Sequence, residues 1–221
     1  MTTPISESHP PTQPKAESFL DWFHINQRWI TIGAIVVGLA IFGLWFVQRT
    51  SLNETISSER QLATAKQSLM SGNAPLAETD LKKVVDKYAG KPAGAEAGLL
   101  LAQLRMDKGD YAAAAGGLRD LAAKVTSGPN AAQIRSLLGD ALAQSGKPAE
   151  AAVEYERAST VTTHPNEKNW LLAKAARSYN SAGKTAEARK LYEALAAQNE
   201  SEAVSSEAKV RLGEMTVGAA K

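Results

Sequence analysis

Length, composition and charge already narrow the functions open to this chain. It has 221 residues, no Cys and three His, and its 25 Lys and Arg against 23 Asp and Glu give a formal net charge of +2. The missing thiols exclude disulfides, thiol nucleophiles and Cys-based metal sites. The near-neutral charge does not resemble the dense basic surface of a nucleic-acid-binding protein. The 39 Ala and the few aromatic residues favour closely packed α-helices.

The first 50 residues predict a tail followed by one membrane span. Residues 1–16 are rich in Pro, Ser and Thr and are predicted to be disordered. Residues 17–50 are interpreted as an interfacial segment and a transmembrane helix. Phe19, Leu20, Trp22 and Phe23 form the interfacial cluster, which is either a membrane-surface anchor or a plain helical lead-in to the span.

The span itself is predicted at residues 30–47. This segment carries no charge, and 11 of its 18 residues are Leu, Ile, Val or Phe. A helix of that length covers about 27 Å, close to the roughly 30 Å hydrocarbon core of a bilayer. The apolar run starts late, is long and has no small-residue cleavage site close behind it, so an uncleaved anchor is favoured over a signal peptide.

The charges that flank the span do not decide its orientation. Lys15 and Arg28 precede it, and Arg49, Arg60 and Lys66 follow it, so the positive-inside rule has two basic residues to weigh against three. A repeat domain on the cytosolic side therefore stays open on these grounds.

Residues 51–221 contain an internal repeat with a period of 37 residues. Gly72, Gly109, Gly146 and Gly183 are separated by that interval and open four similar strings. Matching residues recur around each glycine: Ala77, Ala114, Ala151 and Ala188 five residues later; Leu81, Leu118, Tyr155 and Tyr192 nine later; Val84, Leu121, Ala158 and Leu195 twelve later; and Ala65, Ala102, Gly139 and Ala176 seven earlier.

The repeat predicts an all-α solenoid of four 37-residue helical hairpins. Each glycine ends a first helix in a left-handed cap, and a second helix begins two or three residues later. Small residues recur where the two helices cross, and large residues fill the space between them.

Asp110 is predicted to cap a second helix, and Pro75 and Pro148 suit the first turn. Pro92, Pro129 and Pro165 are predicted in the turns between hairpins, and residues 203–217, with Val210, Leu212 and Met215, are predicted to form a final capping helix.

This pattern resembles the tetratricopeptide repeat. The third copy fits best, with Leu138, Gly139, Leu142, Ala151, Tyr155 and Ala158 at the motif positions. The period of 37 in place of 34 implies inter-repeat turns about three residues longer than usual.

The tail, single span and repeat domain together resemble the ancillary subunit of the bacterial SecYEG translocon (the YfgM-like family). The resemblance covers residues 17–221 and includes the strings FLDWF and GAEAGLLLAQL. It implies a single-pass protein of the bacterial inner membrane, with a cytoplasmic N-terminus and a periplasmic repeat domain. It also implies binding to translocon subunits, periplasmic chaperones or secreted clients.

The sequence offers no catalytic constellation, so a non-enzymatic binding protein is predicted. It shows no nucleophile–base pair, no phosphate-binding glycine loop and no metal-ligand spacing, and neither cofactor, metal, nucleic acid nor small-molecule substrate is expected. A general scaffold in envelope or division-complex assembly and a hydrolase or transferase with a cryptic site are the alternatives.

The tetratricopeptide resemblance implies that the first helix of each hairpin lines a binding groove. Trp170 is interpreted as a hot spot or as packing against the 163–168 turn, and Arg177 as a partner for an acidic ligand or as a solvated side chain. The groove candidates are Glu59, Lys66, Glu96, Gln103, Met106, Gln133, Asp140, Trp170, Arg177 and Asn180.

Overall fold

The computed structural model describes residues 15–198 and 202–218, except for the side chains at 15–27, 30, 47, 51 and 217–218. In that part of the chain every regular element is an α-helix, which confirms the predicted fold class. The helices are α1 Lys15–Met70, α2 Ala74–Tyr88, α3 Pro92–Asp107, α4 Tyr111–Lys124, α5 Ala131–Gln144, α6 Pro148–Val161, α7 Pro165–Ser181, α8 Thr185–Ala196 and α9 Glu202–Gly218.

The chain divides into two compact units, residues 1–53 and 54–221. The predicted disordered tail lies outside the described residues apart from Lys15 and Ala16, which already belong to α1. The side chains of the predicted interfacial cluster, Phe19 to Phe23, also lie outside the described part.

In the first unit, helix α1 carries an apolar stretch that is long enough, by length and composition, to span a membrane. The described side chains from Arg28 to Thr50 are all exposed, including large apolar ones such as Leu39 and Phe42. At the end of this stretch the guanidinium carbon of Arg49 lies 5.7 Å from the ring centroid of Trp45. An aromatic ring beside a basic residue is typical of the end of a membrane span.

In the second unit, four glycines end the first helix of each hairpin, as predicted. Gly72, Gly109, Gly146 and Gly183 have φ between +73° and +80°, the left-handed region that a residue without Cβ enters most easily. At the third turn the N–H of Gly146 donates to the carbonyl of Ala143 at 3.2 Å, and Lys147 N–H donates to Leu142 at 2.9 Å. These bonds satisfy the carbonyls that the end of a helix leaves free.

The helix starts partly follow the predictions. Asp110 caps α4 by accepting a hydrogen bond from the N–H of Ala113 at 3.2 Å, and Pro148 opens α6. Pro92 and Pro165 were expected in turns but begin α3 and α7, because a helix's first residue needs no N–H donor. Pro129 lies in the 125–130 loop, as predicted.

The recurring positions form the core of the solenoid. All sixteen positions of the four repeated sets are buried. The burial follows from stacking, since each amphipathic hairpin covers its apolar face with the next one. Helix α9 closes the series, as predicted, by packing Leu212 and Met215 against α7 and α8, whereas its Val210 is 60% exposed.

Candidate interaction groove

The first helices of the first three hairpins line a groove with a cavity of about 750 Å³. Helices α1, α3 and α5 supply its walls because the 37-residue repeat places equivalent helix faces side by side. Partly buried Leu100 and Leu137 give the groove an apolar component. Its polar rim is formed by Glu59, Glu96, Gln103, Asn130, Gln133, Ser136 and Asp140.

The structure brings five of the ten predicted groove residues together in this cavity: Glu59, Glu96, Gln103, Gln133 and Asp140. A sixth, Lys66, lies beside them and pairs with Glu96 at 2.5 Å between Nζ and Oε1. Gln103 uses its amide to hydrogen-bond Asp107 at 2.8 Å. The groove therefore offers amide, hydroxyl and carboxylate groups together with apolar side chains.

Two predicted groove residues are already engaged within the chain. Met106 is 9% exposed and belongs to the core cluster that extends from α3 to α7, so it does not line the groove cavity. Arg177 binds both carboxylate oxygens of Glu207 in α9, with Nε–Oε1 2.9 Å and Nη2–Oε2 3.2 Å. Arg177 is itself exposed, so its pairing with an acidic ligand stays a prediction.

The remaining two candidates lie on the last hairpin. Asn180 lines a separate cavity of about 200 Å³ with Tyr192 and Arg211, so the structure does not join it to the groove. Trp170 is 47% exposed and lies beside Lys174, whose Nζ is 4.4 Å from the centroid of its ring. The exposed indole is compatible with the hot-spot interpretation.

Lys174 is the residue that the sequence analysis missed. Its Nζ lies 2.5 Å from Oδ1 of Asp140 and 4.7 Å from the ring of Tyr155, in addition to its contact with Trp170. The hydroxyl of Tyr155 donates to the same Oδ1 at 2.6 Å. The spacing of four residues from Trp170 to Lys174 is the one sequence signal for this cluster.

The environment of Tyr155 keeps its hydroxyl protonated. Burial, reinforced by the hydrogen bond to Asp140, raises the pKa of Tyr155 above its ordinary value of 10.0. Tyr155 therefore donates its hydroxyl proton to Asp140 and helps to hold the orientation of that carboxylate in the groove. Asp140, Tyr155, Lys174 and Trp170 therefore form one connected cluster at the groove.

The described residues contain no group of three or more His, Cys, Asp or Glu that could hold a metal ion.

Comparison with known proteins identifies the family of the fold. The family model described as tetratricopeptide repeat-like domain matches residues 21–127 and 54–175. No curated protein matches the sequence.

Solved structures with repeats of this kind share the architecture. The TPR-like repeats of a protein described as a kinesin light chain from Podospora anserina are 20% identical, with a TM-score of 0.53 over 71% of this chain and 83% of that one. BtubC (BKLC) from P. vanneervenii is 14% identical, with a TM-score of 0.52 over 62% of this chain and 61% of that one. The MamA protein is 19% identical, with a TM-score of 0.51 over 71% and 88%.

At sequence identities of 14% to 20%, the similarity to these solved structures shows only that the fold is shared. Repeats of this kind are typically non-enzymatic scaffolds that bind other proteins, and the matches indicate no catalytic family. Because the family model matches more than half of the sequence, the chain belongs to the tetratricopeptide repeat-like domain family.

Proposed function

We propose that this chain is a membrane-anchored adaptor that binds other proteins through the groove of its repeat unit. The observation that carries the proposal is the cavity of about 750 Å³ between α1, α3 and α5. Its exposed amides can bond to the backbone of an extended peptide, and its leucines can cover an apolar side chain. Such a combination of apolar contact and a few polar groups is typical of sites that bind proteins.

The membrane anchor is the apolar stretch of α1. The exposure of its described large apolar side chains supports this role, because a bilayer would cover them and water would not. A single uncleaved span would hold the protein in the bacterial inner membrane, with the N-terminus in the cytoplasm and the repeat unit in the periplasm.

The finer proposal is that the chain is an ancillary subunit of the Sec translocon. In this role it would link the translocon to periplasmic chaperones or secreted clients. The combination of one N-terminal span and a repeat unit supports this role through its resemblance to the YfgM-like family.

The test of partnership is a mild-detergent affinity purification of the tagged full-length chain, followed by mass spectrometry. Translocon subunits should be enriched with the full-length chain and lost with residues 48–221 alone. Recovery of envelope- or division-assembly proteins without translocon subunits would instead favour a general scaffold. Recovery of no protein above an untagged control would contradict the adaptor function itself.

The role of the groove is tested with two arginine substitutions. Gln133→Arg places a bulky charge in the groove, and Ala123→Arg adds the same side chain to an exposed position on α4 that does not line it. The adaptor proposal expects loss of partners with Gln133→Arg only. Equal recovery with both variants would exclude the groove as the binding surface.

Orientation is tested by protease treatment of spheroplasts. Digestion of the repeat unit from outside supports a periplasmic location, and protection of the unit until the membrane is lysed contradicts it.

A further inference from the structure

A second cavity, separate from the groove, lies at the N-terminus of α7. It has a volume of about 500 Å³ and is bounded by the 162–165 turn, the first turn of α7 and Gln198, which follows α8. Asn169, in the second turn of α7, lines it. Asn169 is 4% exposed, yet its Nδ2 has no hydrogen-bond partner. Across the described residues it is the one buried side-chain nitrogen or oxygen in that condition.

A buried amide N–H without a partner requires a hydrogen-bond acceptor. Burying a polar group without a hydrogen bond is costly, so native structures rarely retain one unless water, an ion or a ligand satisfies it. Because Asn169 borders a cavity, a molecule entering that cavity could supply the missing acceptor.

The surroundings of Asn169 favour an acceptor with negative charge. Thr163, Lys168 and Gln198 also line the cavity, and each can donate a hydrogen bond. Helix α7 begins here at Pro165, and His164 before it makes no side-chain capping bond, so the positive end of the helix dipole faces the cavity without a cap. No Asp or Glu lines the cavity in the part of the chain that is described.

The amount of positive charge matches a carboxylate better than a phosphate. Lys168 supplies one full charge, and the helix terminus adds about half a charge. Glu167, in the first turn of α7, does not line the cavity, and its carboxylate accepts a hydrogen bond from the hydroxyl of Thr162. A dianionic phosphate would need more positive charge than this setting offers, whereas a monoanionic carboxylate needs less and could accept from both Asn169 and Lys168.

We propose that the cavity at the N-terminus of α7 is a carboxylate-binding site that takes a carboxylate of a protein partner. That the carboxylate comes from a protein rests on the proposed adaptor function. That the cavity binds a carboxylate rests only on the residues that line it. The site gives the repeat unit a second contact point, separate from the groove on α1, α3 and α5.

The first experiment titrates the full-length chain in detergent with sodium acetate, against sodium chloride at the same ionic strength. Labelling with ¹⁵N-asparagine gives a simple spectrum, because the chain has eight Asn. The side-chain amide of Asn169 is assigned by its loss in Asn169→Leu. Acetate should shift this signal in a saturable way, with a dissociation constant on the order of 1 mM, and chloride should not.

Two lysine variants measure the contribution of charge. Lys168→Gln should weaken acetate binding roughly tenfold, the size expected for loss of one hydrogen bond to a charged group. Lys190→Gln, at an exposed position on α8, should leave it unchanged. An Asn169 signal that acetate does not move, or that chloride moves equally, would overturn the proposal and assign the amide to water or to an adventitious ion.

Small peptides then identify the source of the carboxylate. Binding of N-acetylglycine, with no binding of its amide, would support a partner's chain terminus. Binding of N-acetylaspartic acid amide would support an acidic side chain. Binding of neither, although acetate binds, would overturn the protein as the source.

The experiments can contradict the adaptor function and the carboxylate site independently of each other. Partners recovered by affinity purification, together with an Asn169 amide indifferent to acetate, would remove the carboxylate site and leave the adaptor. Saturable acetate binding with no recovered partner would remove the adaptor and the protein source, and leave the carboxylate site.

Discussion

Gly139 shows how one residue controls the approach of two helices. A Cβ at this position of α5 would lie 2.6 Å from Cε1 and 2.8 Å from Cδ1 of Tyr155 on α6. The ring cannot move away freely, because it is buried and its hydroxyl is bonded to Asp140. The glycine of the repeat motif is therefore a steric requirement at this copy.

Gly139→Ala should destabilise the protein by about 1–3 kcal/mol, the usual cost of adding an atom to a packed core. Gly116→Ala is the matched control: it lies within α4 and a Cβ there meets nothing within 4 Å. That substitution should stabilise the fold by roughly 0.5–1 kcal/mol through helix propensity. Denaturant unfolding in detergent measures both changes, and equal effects would contradict the steric argument.

At the scale of elements, the left-handed glycines define where each hairpin turns. Gly146 has φ +80° and a Cβ there would meet nothing within 4 Å, so the conformation alone opposes a side chain. Gly146→Ala should cost about 1–2 kcal/mol. Gly146→Asn should cost less, because Asn tolerates this region better than Ala does. Thermal unfolding compares the two variants, and an Ala variant as stable as the parent would show that the turn relaxes.

Ion pairs on Glu78 join the first hairpin to the second. Its carboxylate contacts Nζ of Lys108 at 2.7 Å and Nε of Arg105 at 3.1 Å. The hydrogen bond from Lys108, followed by that from Arg105, lowers the pKa of Glu78 from its ordinary value of 4.5. A lowered folded-state pKa means that the stabilisation is present above the unfolded-state pKa and is lost as the pH falls through the folded-state pKa.

Glu78→Gln should therefore lower the thermal midpoint near neutral pH, and the difference from the parent should shrink as the pH falls below 4.5. The effect is expected to be small, since the group is partly exposed. Lys108→Met should show the same trend, and the double variant should lose less than the sum of the two. A difference that does not change with pH would show that Glu78 acts through packing and not through charge.

Some contacts between the helices could be predicted from the sequence, and others could not. The buried sets were predictable because every copy of the hairpin needs the same contacts, so Ala77 or Leu118 repeats the role of its counterparts. The burial of Met106 and the ion pair of Arg177 were not predictable, because they depend on which helix faces the neighbouring elements cover. Met106 is buried in the core cluster that extends from α3 to α7, and Arg177 meets Glu207 only when α9 packs on α7. Lys174 was missed because its contacts come from α5, α6 and α7 together.

At the scale of the whole repeat unit, stability is expected to spread from neighbour to neighbour. Each hairpin buries its apolar face against the next, so a defect at one end should loosen the adjacent helices before it reaches distant ones. Helix α9 is the place to test this expectation, because it packs on α7 and α8 at the end of the series.

Ala208→Asp introduces a carboxylate at a position of α9 that is 1% exposed, facing the cluster that contains Tyr192 and Leu195. Burying this charge without a partner should cost roughly 3 kcal/mol or more. Hydrogen exchange should therefore accelerate in α7, α8 and α9, with little change in α2 and α3, which belong to a separate core cluster with α1. Val210→Asp supplies the matched control, because it adds the same charge to an exposed position of α9 and should leave exchange unchanged. Uniform acceleration from α2 to α9 would instead mean that the repeat unit unfolds as one cooperative block, with no local order of stability between its two ends.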